Sequence, residues 1–455
     1  MGAPLCESRV LAPRPRVVAR RLPATSRSRP MNTVPPASAE PPQFPDAAAS
    51  DPGALGWMEG FPPRPDRTVA FADGGAWAFP RTRWAFCHMR ELFPTANVSR
   101  GDAPVARLPR AERRDLDDVA FTTLDGREMT WGASLAANYT DGIVVLHRGV
   151  TIQERYFGAL QPELAHTAMS VTKSFVGTLA AMLVAQRVLD ADAAVTHYLP
   201  ELAGTAYDGA TLRQLMDMTI AVRYSEAYAD PQADIWHYAR AGGMQPRAPG
   251  YDGPPTLCDY LATLAAEGAH GEAFAYKTVN TEVLAWVVKR ASGQRLATLT
   301  SDLLWSRLGA EHDAHYAVDS VGTEAGGGGL NTTLRDLARF GEAMRQDGWF
   351  NGQQIVPERV VADIRRGADK DRFTRGGYGA TLPGWSYRNM WWVTHNAHGA
   401  YTARGIHGQV IWIDPKAEMV IARYASHPLA ANSPHLDPTS LPAYEALGRH
   451  LIQSR

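Results

Sequence analysis

Ser170 and Lys173 stand three residues apart at the head of a long apolar run, A-M-S-V-T-K-S-F-V-G-T-L-A-A-M-L-V-A-Q-R over residues 168–187. Residues 174–186 carry no charge and include Phe175, Val176, Leu179, Met182, Leu183 and Val184. The run is shorter than the roughly 20 residues that span a bilayer. It predicts a helix buried in the centre of a globular domain. Residues three apart on a helix share a face, so Lys173 is expected beneath the Ser170 hydroxyl. Burial and the positive end of the helix both disfavour a charged ammonium, so the lysine pKa should fall. A neutral lysine in reach of a serine hydroxyl can take its proton and make it a nucleophile. S-x-x-K is also a common string, and its meaning depends on what the rest of the chain places around it.

The elements that must position this pair lie on both sides of it. Residues 141–157, D-G-I-V-V-L-H-R-G-V-T-I-Q-E-R-Y-F, predict a β-hairpin turning at Arg148-Gly149. Residues 405–424, G-I-H-G-Q-V-I-W-I-D-P-K-A-E-M-V-I-A-R-Y, predict a second hairpin. Helices are predicted over 84–93, from Thr211, from a cap at Asn280 or Thr281 to Gly293, over Thr333 to Arg345, and from Leu441 to Ile452. Strands towards both ends and helices between them predict an α/β (α+β) fold. One antiparallel sheet flanked by helices is built from both termini, with a mostly helical region inserted. The expected organisation is a disordered extension over 1–55, a discontinuous α/β domain over 56–190 and 310–455, and a helical region over 191–309.

Composition narrows the function. The 455 residues are 45% hydrophobic with a net charge of −1, enough for a large core and no basis for nucleic-acid or membrane attraction. Cys6, Cys87 and Cys258 are scattered, with neither metal spacing nor any need for an oxidising compartment; a cytoplasmic location is expected. The first 30 residues hold seven arginines against one acid, Glu7. No apolar segment follows, so a secretory signal is not expected. A dispensable extension, with Met31 as an alternative start, is favoured over an organellar transit peptide. G-x-S-x-G, H-E-x-x-H, P-loop and G-x-G-x-x-G motifs are absent. His237, His395, His398 and His407 show no ligand spacing, and Gly326–Gly329 reads as a permissive turn before a helix. No cofactor or metal is expected.

S-V-T-K at 170–173, a tyrosine in F-A-Y-K-T-V-N at 274–280 and G-I-H-G-Q at 405–409 follow one another in that order. In this the chain resembles the penicillin-recognising serine hydrolases: class C β-lactamases, D-alanyl-D-alanine carboxypeptidases and related esterases. Within them it is most similar to the 6-aminohexanoate-dimer (nylon-oligomer) hydrolases, over roughly residues 80–450. The resemblance implies Ser170 as nucleophile, Lys173 as its proton acceptor and Tyr276 as the group that passes the proton to the leaving amine or alcohol. It implies an oxyanion hole from the backbone N–H groups of Ser170 and Ile406, and a contact from Tyr228 to the scissile amide. It further implies a small amide or ester as substrate and a possible homodimer.

Departures from the pattern carry information too. The sequence has Tyr276-Lys277-Thr278 where β-lactamases carry Tyr-x-Asn, and Ile406-His407-Gly408 where they carry Lys-Thr-Gly. Both argue against efficient β-lactam hydrolysis and fit the amidase and esterase branch. Ala239 stands where the resemblance implies an acid that meets a substrate amine, and Met244 stands where it implies a tryptophan. The substrate-binding set is therefore Tyr228, Ala239, Met244 and His407. A β-lactamase or D-Ala-D-Ala peptidase, and an inert ligand-binding homologue, are the alternatives.

Overall fold

The computed structural model describes residues 43–454. From Pro45 onward the chain forms one compact unit. The extension expected over 1–55 falls largely outside the described residues, but its last ten residues depart from the expectation. Asp46 and Asp51 side chains accept from the N–H groups of Ala49 and Ala54, tying two turns. The Arg83 guanidinium donates to the Ala47 carbonyl and to Ser50, which is buried. A Pro- and Asp-rich composition read as disorder because the arginine that fixes it lies more than 30 residues away.

Seven strands form the main sheet: β1 (Thr140–His147), β2 (Val150–Tyr156), β3 (Ser386–Arg388), β4 (Trp391–Val393), β5 (Tyr401–Arg404), β6 (Val410–Asp414) and β7 (Met419–Ala425). Their order is β3-β4-β5-β6-β7-β1-β2, antiparallel throughout. Both predicted hairpins are present, and they meet where β7 pairs β1, with Ile421 opposite Val145. Every residue of β7 is buried, so both faces of the sheet centre are covered, which is why these strands read as continuous apolar runs.

The principal helices are α1 (Val171–Ala185), α2 (Asp234–Ala241), α3 (Thr278–Ser292), α4 (Leu334–Arg345) and α5 (Asp437–Gln453). Successive side chains on a strand point to opposite faces. Accordingly Ile411 meets α4 at Gly341, while its neighbour Trp412 meets α5 through Tyr444, ring centroids 5.4 Å apart. α1 lies beside α4, with Phe175 stacked on Phe340 at 4.0 Å, and packs on β4, where Trp391 Nε1–H donates to Thr178 Oγ1 at 3.0 Å. A four-stranded sheet of Thr95–Val98, Ala314–Ala317, Leu330–Thr332 and His166–Thr167 leads directly into α1. Among the described residues, the segment 191–309 contributes no strand to either sheet, and its Leu215 and Val283 join the same core as Leu179 and Ile421.

Several boundaries differ from expectation. α3 begins at Thr278 rather than at a cap on Asn280 or Thr281, because Glu226 from a distant loop caps it. The helix expected over 84–93 is two short turns, Thr82–Ala85 and Met89–Leu92, separated at His88. α5 starts a turn earlier than expected, at Asp437.

Candidate active site

Ser170 caps the entry to α1 and is preceded by Met169 at φ 47°. A left-handed backbone at a non-glycine residue costs about 1–3 kcal/mol. Here the strain turns the chain from the His166–Thr167 strand, which is held through Thr167 to Asn331 and through Ala168 N–H to the Leu330 carbonyl, into the helix. Lys173 is fully buried one turn on. Its Nζ is 2.9 Å from Ser170 Oγ and donates to the Gly327 carbonyl at 2.5 Å. Burial lowers the lysine pKa to about 8, while the charges of Glu226 and Glu282 hold it from falling further. About a tenth is therefore neutral at pH 7, the form able to accept a proton.

Tyr276 hydrogen-bonds the Ser170 side chain, and its ring centroid lies 5.3 Å from Lys173 Nζ. Burial drives its phenol above the ordinary value, opposed by the bond to Ser170, so it is a protonated donor at neutral pH. The ring is held by Trp392 at 5.3 Å and Tyr387 at 6.0 Å. Serine hydroxyl, amine and phenol thus meet at one point, as the order of the sequence motifs predicts.

The end of β5 closes the other side. A Cβ on Gly405 would lie 2.9 Å from the Ala168 carbonyl and 3.0 Å from Met169 Cβ, so only glycine allows the strand this close to the Ser170 turn. Ile406 follows it, and His407 is again left-handed at φ 62°. Among the described residues, neither the Ser170 nor the Ile406 N–H donates to a protein acceptor. Both residues line one cavity, and an oxyanion hole needs two such donors without a protein partner. The His407 Nδ1–H donates to the His427 carbonyl at 2.6 Å, and burial lowers its pKa to about 4, so its imidazole is neutral at pH 7.

A cavity of about 520 Å³ opens over Ser170 and Ile406, and Tyr228, Ala239, Met244 and His407 all line it. All eight residues singled out from the sequence therefore gather at one site: six on the cavity wall, with Lys173 and Tyr276 behind Ser170. Sequence reasoning missed four others. Trp77 and Trp236 complete the wall. Glu226 accepts the Thr278 N–H, the first of α3, and bonds the Tyr228 phenol. Glu282 accepts from Tyr238 Oη at 2.6 Å and from the N–H groups of Gly327 at 2.7 Å and Gly326 at 2.9 Å. It thereby fixes the loop whose carbonyl holds Lys173. An acid inside the apolar helical stretch V-N-T-E-V-L-A-W-V-V was a usable signal for Glu282, because buried acids need a built set of partners. Lys277 donates to the Tyr224 carbonyl. Among the described residues no cluster of His, Cys, Asp and Glu suits a metal ion.

A fold with a long antiparallel sheet, a buried helix headed by Ser-x-x-Lys and a tyrosine facing it defines a class of serine-dependent acyl-transfer proteins. The β-lactamase family pattern matches residues 131–440, and the chain belongs to that family. It is 35% identical to a 6-aminohexanoate-dimer hydrolase of Paenarthrobacter ureafaciens over 393 residues, 85% of this chain and 91% of that protein. A solved structure described as a candidate 6-aminohexanoate-dimer hydrolase from Bacillus anthracis superposes with a TM-score of 0.76 at 32% identity, covering 83% of this chain and 96% of that one. EstCE1, a hydrolase with promiscuous acyltransferase activity, superposes with a TM-score of 0.54 at 17% identity over 69% and 95% of the two chains, which shows the fold alone. Among the described residues no helix is long and apolar enough to cross a membrane.

Proposed function

We propose that the protein hydrolyses small linear amides or short-chain esters through an acyl-Ser170 intermediate. The carrying observation is the 2.9 Å contact between Lys173 Nζ and Ser170 Oγ inside a buried pocket. Neutral Lys173 takes the hydroxyl proton as Oγ attacks the carbonyl, and the Ser170 and Ile406 N–H groups receive the developing oxyanion. Tyr276 delivers a proton to the departing amine or alcohol and is recharged from Lys173. Water then attacks the acyl-enzyme by the reverse relay. Tyr228, held by Glu226, sits where it can steady the scissile group.

Relatives named as 6-aminohexanoate-dimer hydrolases support an amide substrate, but Ala239 offers no charge for a substrate amine. β-Lactam or D-Ala-D-Ala chemistry is less well supported. Among the described residues no lysine or arginine lines the cavity, and His407 is neutral, so a substrate carboxylate finds no counter-charge from them. A cytoplasmic location belongs to this reading, and a homodimer is carried by the resemblance alone.

A fluorophosphonate probe should label the wild-type protein on Ser170 and leave Ser170→Ala untouched. Lys173→Ala should lower p-nitrophenyl butyrate turnover by about 10²–10⁴. Absence of labelling on folded wild-type protein would overturn the reading in favour of an inert homologue.

A further inference from the structure

The cavity over Ser170 is lined mostly by apolar groups although several titratable side chains stand on it or behind it. Its wall is made chiefly of Trp77, Trp236, Ile235, Ala239, Met244 and Leu429. The one carboxylate on it, Glu226, is already engaged by the Thr278 N–H and the Tyr228 phenol. His407 has its Nδ1–H committed and is neutral, and burial also lowers the pKa of His435. The Gln245 amide adds a neutral polar contact to the wall.

This wall is also assembled rather than incidental. Trp77 comes from the N-terminal segment, yet its Nε1–H donates to the Met244 carbonyl at 2.6 Å. Its ring lies 6.1 Å from Phe86, which in turn lies 5.2 Å from His407. Trp77 therefore ties the helical side of the cavity to the strand that carries Ile406. Trp236 stands edge-on to Tyr228 at 6.2 Å. Lys173 and Tyr276 form no part of this wall; Tyr276 packs on Trp392 and Tyr387 instead. A leaving group must reach Tyr276 for its proton and an acyl arm has no such need, so the wall suits the acyl arm.

We propose that the cavity selects an uncharged aliphatic acyl arm, so that the substrates are neutral acyl amides or esters rather than acyl groups ending in an ammonium or a carboxylate. The proposal rests on the acyl-Ser170 reading. An apolar arm gains by leaving water, whereas a terminal carboxylate would be desolvated against indole and thioether with no partner, and a terminal ammonium would meet only Glu226, whose carboxylate already serves the Thr278 N–H and the Tyr228 phenol.

The test is a series of p-nitrophenyl acetate, butyrate and hexanoate, with the 6-aminohexanoate and monoadipate esters as charged members. On the wild-type enzyme kcat/KM should rise by about fourfold per added methylene. The two charged esters should fall about a hundredfold or more below the neutral ester of matching length. Trp236→Ala should flatten the chain-length series mainly through KM, and Met244→Ala supplies the same readout should Trp236→Ala fail to fold. A flat series, or a 6-aminohexanoate ester as good as its neutral counterpart, would overturn the selectivity while intact-mass adducts on Ser170 still upheld the nucleophile. With no Ser170 adduct from any ester, the acyl-Ser170 reading itself falls, and the proposal with it.

Discussion

Lys173 is a lysine with almost no exposed surface, held between Ser170 Oγ and the Gly327 carbonyl. Such burial stabilises the neutral form and so costs the fold something while serving the chemistry. The pKa falls from 10.5 to about 8. Below pH 8 the folded protein carries a buried ammonium and the cost is present in full. Between pH 8 and 10.5 the unfolded chain binds more protons than the folded one, so stability rises with pH until the cost has gone. Lys173→Met should therefore abolish ester turnover yet stabilise the fold by about 1–3 kcal/mol at pH 6, less the unpaired Gly327 carbonyl. The gain should shrink as pH approaches 10.5, which thermal melts across that range would show. In the wild type, kcat/KM should climb with pH through an apparent pKa near 8 as the amine loses its proton. The pair was legible from sequence because its meaning is local: one turn of helix, one hydroxyl, one amine. Glu226 was not, since its partners Thr278 and Tyr228 are joined to it only by the fold.

The apolar elements showed their character in the sequence; their exact ends and their mutual placement did not. α1, the two hairpins and the Thr333 cap of α4, which accepts the Asp336 N–H, follow from patterns within a dozen residues. The Gly326–Gly329 stretch read as a permissive turn, whereas the structure makes it the platform beneath Lys173. A Cβ on Gly327 would meet Thr278 Cγ2 at 2.6 Å and Glu282 Oε1 at 2.8 Å, so glycine lets the loop press onto α3. Glu282 then joins α2, α3 and this loop through Tyr238 and the two glycine N–H groups. It acts through Lys173 and is a positioning residue. Its charge raises the lysine pKa, so Glu282→Gln should move the rising limb of the pH–kcat/KM profile below pH 8. Loss of one acceptor loosens the loop, and kcat should drop by about tenfold or more while KM changes little. A merely structural role would lower the yield of folded enzyme and leave the limb where it was.

For the whole molecule, the problem is to hold the helical segment against a sheet drawn from both ends of the chain. Sheet closure was readable because each hairpin is a local object and β7 has only β1 left to pair with. The clamp was not readable, because its parts are far apart in sequence. Arg388, at the end of β3, donates to Asp217 Oδ2 at 2.7 Å, beyond the helix Leu212–Met216, and to both oxygens of Asp363 at 2.9 and 3.0 Å. Asn389 N–H donates to Asp217 Oδ1 at 3.1 Å, and Arg213 reaches Asn389 Oδ1 at 2.6 Å. Between these groups α1 passes so close that a Cβ on Gly177 would stand 2.2 Å from the Asn389 carbonyl. Asp217 is buried, and burial raises its pKa against the pull of Arg388 and Arg213. Removing the main counter-charge leaves a carboxylate that is costly to keep ionised, so Arg388→Met should cost about 3–5 kcal/mol in urea unfolding at pH 7. Adding Asp217→Asn removes the orphaned charge, and the double variant should recover a large part of that loss. The single variant should also weaken faster as pH rises from 5 to 7, because Asp217 without Arg388 must ionise at a higher pH in the folded state than in the unfolded one. A single variant as stable as wild type would mean that apolar packing alone holds the helical segment on the sheet.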